Sequence, residues 1–306
     1  MSEASISVLG AGSLGLLYAT RLARMGRSVN LLVKPEKVSS LSLGVTLKDK
    51  QGGRSQRQFM RVISQPTPDL AIDRLILTTK AGQAASALQT WQANLTTDAE
   101  ILMLQNGLGS QSEVAELLSN QQTLLAASVT EGAYLEDPAI VVHAGKGKTQ
   151  LGRWSGANKQ AADAWVSRLT IAGLDAEKVE PIRPVLWHKL AVNAVINPLT
   201  AAYQVENGAL AGRDFQPVVE RLVKEVLAVF KRLGIPEPEG GLAYRVEQII
   251  LATAANRSSM LQDIQAGRTT EIDYITGTLL KAAKPFGLKL SQHQKLYDKI
   301  KAAESP

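Results

Sequence analysis

Ser5-Ile6-Ser7-Val8-Leu9-Gly10-Ala11-Gly12-Ser13-Leu14-Gly15 lies near the start of the chain and decides how the rest is read. Ser5 to Leu9 reads as a short buried strand, and a helical pattern follows the glycines through about Met25. Between them Gly10, Gly12 and Gly15 make G-x-G-x-x-G, a weak signal alone and a strong one between strand and helix. Gly10 permits the tight turn, Gly12 lets the backbone approach a pyrophosphate, and Gly15 lets the helix pack closely on the strand. The helix start adds N–H groups without intrahelical partners and a partial positive charge. Gly10, Ala11, Gly12, Ser13, Leu14 and Gly15 are therefore the expected dinucleotide cradle, weighed against a plain glycine-rich turn.

Working outward, Gly26 ends the helix and Ser28 to Val33 forms the second strand, so the next residues should sit over the adenosine ribose. Lys34 comes first there and suits a 2′-phosphate, which favours NADP; Glu36, two residues on, keeps NAD open, and a solvated loop lysine is the bland alternative. Residues 43–63, with Gly44, Gly52 and Gly53, read as a hairpin-like excursion. Leu75 to Thr79 and Ile101 to Gln105 are further buried strands, ending at Lys80 and Asn106, and in a doubly wound sheet such ends face the ligand. Strands are also expected at 124–129 and 140–143, with 150–152 closing a hairpin across Gly145-Lys146-Gly147. A helix over 159–171 and a strand over 175–179 follow. Beyond Glu180-Pro181-Ile182-Arg183-Pro184 the strand signal disappears, and helical periodicity occupies 214–233, 239–256, 259–266, 269–284 and 291–303. The expected fold is thus an α/β Rossmann-type dinucleotide-binding domain over 1–180 and an all-α domain over 181–306.

Composition narrows the function classes. A chain of 306 residues with 45% hydrophobic and 20% charged content can bury two cores. It has no Cys, which excludes disulfides and thiol nucleophiles and fits a cytoplasmic setting. No basic-then-apolar leader or apolar run of about 18 residues is present, so neither secretion nor a membrane span is expected. Three His, far apart in sequence, make a metal site an unfavoured reading. The net charge of +6 is scattered and only 5% of residues are aromatic, so a phosphate-bearing small molecule explains the basicity as well as nucleic acid would. Lys295, Lys299 and Lys301 read as the solvated face of a last helix.

The helical half carries its own signal. In Leu186-Trp187-His188-Lys189-Leu190-Ala191-Val192-Asn193-Ala194-Val195-Ile196-Asn197-Pro198-Leu199-Thr200, Lys189, Asn193 and Asn197 recur every four residues. On a helix each is turned about 40° from the last, so an ammonium and two amides share one face. The helix is expected to start just after Pro184 and to stop at Asn197, because the residue before Pro198 is pushed from the α region. Ser258 to Asp263 and Arg268 to Asp273 flank Gly267 and supply further polar groups; here Ser259 with Gln262 matches a capping box and Glu271 suits a helix start.

Taken together, Gly10-x-Gly12-x-x-Gly15, Lys80, Asn106-Gly107-x-Gly109, Leu186-Trp187-x-Lys189-Leu190-x-x-Asn193-x-x-x-Asn197-Pro198-Leu199-Thr200, Ser258-Ser259-Met260-Leu261-Gln262-Asp263 and Thr270-Glu271-Ile272-Asp273-Tyr274 resemble the ketopantoate reductase family over essentially the whole chain. The resemblance implies NADPH-dependent reduction of 2-dehydropantoate to pantoate, a step toward pantothenate and coenzyme A, in a cleft between the two domains. It implies that Lys189 is the general acid and that Asn193, Asn197, Ser259 and Asn207 bind substrate. Asn106 would serve substrate and cofactor, and Glu271 would touch the nucleotide and organise the site. Gly10 to Gly15, Lys34 and Lys80 match cofactor contacts, although well-known members carry Arg at the position of Lys34. Burial would lower the Lys189 pKa and Glu271 would raise it, and the sequence leaves that balance open. A reductase of another branched 2-oxo acid is the close alternative. A non-catalytic NADP(H) sensor is the alternative from another class, and it has no use for the Lys-Asn-Asn stripe. A small-molecule substrate, no nucleic acid, no membrane and a monomer or homodimer complete the expectation.

Overall fold

The computed structural model describes residues 5–50 and 55–304, so Gly52 and Gly53 of the expected hairpin lie outside the described residues. The chain divides into two compact units, residues 1–105 with 110–183 and residues 106–109 with 184–306.

The first unit runs β1 (Ile6–Leu9), α1 (Ser13–Arg24), β2 (Val29–Leu32), α2 (Val38–Leu41), β3 (Val45–Asp49), β4 (Gln56–Gln58), β5 (Arg61–Ile63), β6 (Ile72–Leu77), α3 (Ala84–Trp91), β7 (Leu95–Met103), α4 (Ser110–Ala115), β8 (Thr123–Val129), β9 (Gly132–Asp137), β10 (Ile140–Gly145), β11 (Thr149–Ser155), α5 (Ala161–Ile171) and β12 (Ala176–Lys178). Eight strands form one sheet in the order β12-β11-β8-β7-β6-β1-β2-β5. From β5 to β8 neighbours are parallel, and β11 runs antiparallel to β8. The chain leaves β1 toward β2 on one side and returns as β6 on the other, so the strand order reverses between β1 and β6. Ligands of such sheets bind beyond the carboxyl ends of the strands at that reversal.

Side chains alternate across the strands. Ile76 and Leu102 join a core with Leu16, Leu17, Trp165 and Leu169 of α1 and α5, while Leu75, Leu77, Ile101 and Met103 join another with Leu88, Trp91 and Val114 of α3 and α4. Both faces of the central strands are covered, which is why they read as continuous apolar runs.

Within the 43–63 excursion β3 and β4 pair antiparallel as a hairpin would, and they join β10 and β9 in a second sheet, β4-β3-β10-β9, while β5 pairs with β2 in the first; β9 lies where no strand was expected. The expected hairpin of 140–143 with 150–152 does not form, because β10 pairs with β3 and β9 while β11 pairs with β8 and β12. Gly145-Lys146-Gly147 is a crossing between sheets. A Cβ at Gly147 would collide with the backbone of Thr130 and Glu131, the other crossing strand, and Gly147 N–H donates to Glu131 Oε2 at 3.0 Å.

The second unit is helical: α6 (Ile182–Tyr203, beginning at the boundary), α7 (Gln216–Leu233), α8 (Leu242–Ala252), α9 (Ser259–Gln265), α10 (Ile272–Ala283) and α11 (Ser291–Glu304). Two expectations for α6 are corrected. It starts before Pro184, which occupies the first turn where no N–H is needed, and it runs through Pro198 to Tyr203. Interior proline forfeits the ladder bond to the Ala194 carbonyl, and further on the Thr200 hydroxyl donates to the carbonyls of Ile196 (3.0 Å) and Asn197 (3.0 Å), tying the last turn down. Leu199, Thr200 and Ala201 are all buried, so tertiary packing holds the extra turn. The helix ends at Gln204 in the left-handed region, φ 56°, with Val205 N–H on Thr200 O.

Of the terminal lysines, Lys295 and Lys299 are exposed as expected, whereas Lys301 is half-buried and ion-paired. Lys299 sits 4.3 Å from the centre of the Tyr203 ring, and Lys301 bridges Asp273 (3.1 Å) and Glu304 (2.9 Å). Among the described residues no helix is long and apolar enough to cross a membrane, and no group of three or more His, Asp and Glu is placed to hold a metal ion.

The glycine turn yields a stability test. A Cβ at Gly15 would collide with Gly10 O and the Thr78 hydroxyl, whereas one at Gly12 meets nothing within 4 Å. Gly15→Ala is expected to lower urea-unfolding stability by about 1–3 kcal/mol. Gly12→Ala is expected to cost less than about 1 kcal/mol, the loss of a tolerated cap. Equal losses in the two variants would contradict this packing.

Candidate active site

In the first unit the predicted cofactor residues gather at the carboxyl ends of β1, β2 and β6. Gly10 adopts φ 115°, open to glycine at little cost, and the turn is fastened from below by the Thr78 hydroxyl, which donates to Gly10 O (3.0 Å) and Leu9 O (3.2 Å). Thr78 is a contributor that the glycine pattern alone does not reveal. Gly12 caps α1 with no side-chain hydrogen bond, and no acidic residue lies in the first turn of that helix. Its N–H groups and positive end are thus presented without a competing carboxylate. Beyond β2, Lys34 is exposed and precedes a 3-10 turn over Pro35–Lys37. Beyond β6, Lys80 is half-buried and precedes a second such turn, Ala81–Gln83. Gln105 ties the ends of β6 and β7 together by donating to Leu77 O and Thr79 O, each at 3.1 Å. The buried Thr79 hydroxyl beside Lys80 has no hydrogen-bond partner among the described residues. Open space at Gly12, an uncapped helix start, an unsatisfied hydroxyl and a lysine together fit a dinucleotide.

In the second unit Lys189, Asn193 and Asn197 lie along α6 as the four-residue spacing predicts; Lys189 and Asn193 are half-buried and Asn197 is buried. Asn106 belongs to this unit, because its loop docks on α10. Leu108 N–H donates to Tyr274 O (2.9 Å), the Thr278 hydroxyl donates to Leu108 O (2.6 Å), and Gly107 has φ 81° where a Cβ would strike Tyr274. Asn106 Nδ2 thereby reaches Glu271 Oε2 at 3.5 Å. Glu271 is the residue that begins α10, yet its side chain does no capping; its carbonyl accepts from Tyr274 and Ile275 N–H instead. The Glu271 carboxylate is close enough to act on the Lys189 ammonium.

That ammonium answers the balance the sequence left open. Burial is the larger influence and pushes the Lys189 pKa down from 10.5 to about 8, while Glu271 pulls the other way. The structure therefore brings Asn106, Lys189 and Glu271 into one electrostatic group.

Ser259 and Asn207 are placed by other contacts. The cap of α9 is Ser258, not Ser259: its hydroxyl accepts from Leu261 N–H (3.1 Å) and from the Thr200 hydroxyl (2.7 Å), so the expected Ser259–Gln262 capping box is absent. Gln262 Nε2 instead donates to Arg257 O. Ser259, relieved of capping, is exposed on the first turn of α9, which Ser258 fastens to the end of the α6 stripe. Asn207 is buried, with Nδ2 on the Thr253 hydroxyl (2.8 Å) and its backbone N–H on Asn256 O (3.0 Å). Its Oδ1 is buried with no hydrogen-bond partner among the described residues, an acceptor that a ligand hydroxyl could satisfy.

Comparison with known proteins agrees with both halves. The family model "Ketopantoate reductase PanE/ApbA" matches residues 6–156, and "Ketopantoate reductase PanE/ApbA C terminal" matches residues 181–304. The 2-dehydropantoate 2-reductase of Salmonella typhi is 38% identical over 304 residues, covering 98% of this chain and 95% of its own. Among solved structures, a D-mandelate dehydrogenase with NADH and anilino(oxo)acetate has a TM-score of 0.91 at 25% identity, with 98% of each chain covered. A probable 2-dehydropantoate 2-reductase of Bacillus subtilis has a TM-score of 0.80 at 29% identity, covering 98% of this chain and all of that one. Matched along nearly its whole length, the chain belongs to the ketopantoate reductase family.

Proposed function

We propose that this protein reduces 2-dehydropantoate to (R)-pantoate with NADPH, a step toward pantothenate and coenzyme A. The observation that carries the reading is the buried Lys189 ammonium, with a pKa near 8, beside Glu271 and Asn106 in a chain similar throughout to 2-dehydropantoate 2-reductases. The first unit is the NADP-binding domain and the helical unit the substrate and catalytic domain. Gly10, Ala11, Gly12, Ser13, Leu14 and Gly15 hold the pyrophosphate, Lys34 faces the 2′-phosphate, and Lys80 and Asn106 serve the nicotinamide end. When bound, the reduced nicotinamide supplies the hydride to the C2 carbonyl.

The protein's own part is charge and proton handling. As the C2 oxygen becomes an alkoxide, the Lys189 ammonium stabilises it and donates one proton, leaving a neutral amine that takes its next proton from water. A pKa near 8 keeps most of the lysine charged at neutral pH while bringing it closer to the acidity a proton donor needs. Glu271 limits the fall of that pKa and contacts the nucleotide. Asn193, Asn197, Asn207 and Ser259 orient the carboxylate and hydroxyl of the substrate.

A second reading is favoured by the likeness to D-mandelate dehydrogenase: the same chemistry on another 2-oxo acid, with NADH also accepted. A lysine at position 34 keeps the charge for a 2′-phosphate but lacks the planar fork of arginine, so the preference for NADPH should be modest. We place the enzyme in the cytoplasm, as a monomer or homodimer, with no nucleic-acid or membrane partner; the absence of Cys supports the compartment.

Three outcomes test the proposal. Lys189→Ala should lose about a hundredfold or more in kcat while its NADPH affinity by fluorescence titration stays within about threefold; near wild-type turnover would remove Lys189 from the chemistry. Across a panel of 2-oxo acids, 2-dehydropantoate should have the highest kcat/KM, and a higher value for an aryl 2-oxo acid would favour the second reading. Lys34→Glu should lower kcat/KM for NADPH about tenfold or more and barely change that for NADH, and an equal loss with both would deny Lys34 its role.

A further inference from the structure

Glu271 needs its backbone held, and the last helix supplies holding groups on both sides of it. Glu304 Oε1 accepts the N–H of Thr270, the residue just before Glu271, at 2.6 Å. The Thr270 hydroxyl accepts from Ile272 N–H at 3.1 Å, closing a turn around Glu271. Just past Glu271, Asp273 accepts from the Tyr297 hydroxyl (2.5 Å) and from Lys301 (3.1 Å), and Lys301 also bridges to Glu304 (2.9 Å). Tyr297, Lys301 and Glu304 are spaced four and three apart, one face of α11. The Glu304 side chain is only 8% exposed, so it is committed to this contact and not to solvent. Hydrogen bonding to Glu304 pushes Lys301 up to about 12, and the carboxyls of Asp273 and Glu304, though desolvation opposes it, are held below their ordinary range by their hydrogen bonds. The network stays ionised across the working range of pH.

We propose that Glu304, locked by Lys301, is a positioning residue that sets where the Glu271 carboxylate sits and thereby how strongly it acts on Lys189. Substrate and cofactor touch none of Tyr297, Lys301 and Glu304 in this account. Their influence passes through the backbone of residues 270–273. The inference rests on Lys189 as proton donor, but the position of Glu271 can be read without turnover.

The charged groups concerned are Glu271 at the start of α10, which raises the Lys189 pKa, and Asp273, Lys281, Lys301 and Glu304 around the anchor, with the neutral phenol of Tyr297 among them. In protein labelled with 13C at the lysine ε-carbon, the Lys189 resonance reports its titration directly. Glu304→Ala, which removes the acceptor for Thr270 N–H, should lower the Lys189 midpoint by about half a unit or more and reduce kcat about fivefold or more, with KM for NADPH within about twofold. Glu304→Gln keeps an acceptor oxygen and should restore both values most of the way. Equal shifts in the two variants would assign the effect to lost charge through space and overturn positioning. A wild-type midpoint and kcat in folded Glu304→Ala would overturn it as well. Should Glu304→Ala not fold, Lys301→Met decides, with a smaller shift in the same direction expected and none contradicting. Lys189→Ala assayed alongside separates the two failures, since full turnover in that variant defeats the proton-donor reading and leaves the titration result to stand by itself.

Discussion

A lysine ammonium buried beside one carboxylate is the constraint around which the helical unit is arranged. Water would hold that ammonium near 10.5, and burial brings it to about 8. The difference corresponds to a penalty on the order of 3 kcal/mol for the charged form. Between about pH 8 and 10.5 the unfolded chain binds a proton that the folded chain has released, so this penalty stands in full below 8 and fades as pH rises through that window. A fold of ordinary stability gives up a sizeable fraction of its margin to such a residue, and the surrounding structure supplies the compensation. Buried Ala191 and Val195 lie on the face of α6 turned away from the stripe, and Trp187 packs edge-on against Phe230 of α7 with ring centres 6.2 Å apart.

Other features follow from delivering groups to that ammonium. The Asn106 loop groups with the helices, and Gly107 accepts the left-handed turn that lays it against Tyr274. Pro198 is tolerated inside α6 because Thr200 stitches the last turn to α9 through Ser258, keeping Asn197 within the helix and next to the segment bearing Ser259. The last helix closes the arrangement by clamping both flanks of Glu271.

Much of this was legible in the sequence, for reasons that can be traced to particular residues. The glycine turn was readable because Gly10 and Gly15 answer to local sterics, a positive φ and a collision with Gly10 O, that no other residue satisfies. The stripe on α6 was readable because a four-residue period is a property of the helix itself. What failed depended on partners distant in sequence. The pairing of β11 with β8 and of β10 with β3 cannot be inferred from adjacent strands and a glycine turn, and Pro198 looked like a stop because its cost is local while its compensation is tertiary. Lys301 looked solvated because Asp273 and Glu304 meet it only once α10 and α11 pack. Ser258 and Ser259 differ by one position, and only the contact with Thr200 tells the cap from its neighbour.

The account stands or falls on the state of the Lys189 ammonium during reduction. Its most direct measurement is kcat/KM for 2-dehydropantoate with NADPH between pH 6 and 10, in a buffer series of constant ionic strength. A proton donor with a pKa near 8 predicts a plateau at low pH and a tenfold fall per unit above a break at about 8. A profile that stays level to pH 10 would contradict it, for the reaction would then be indifferent to the one proton this helix is built to supply.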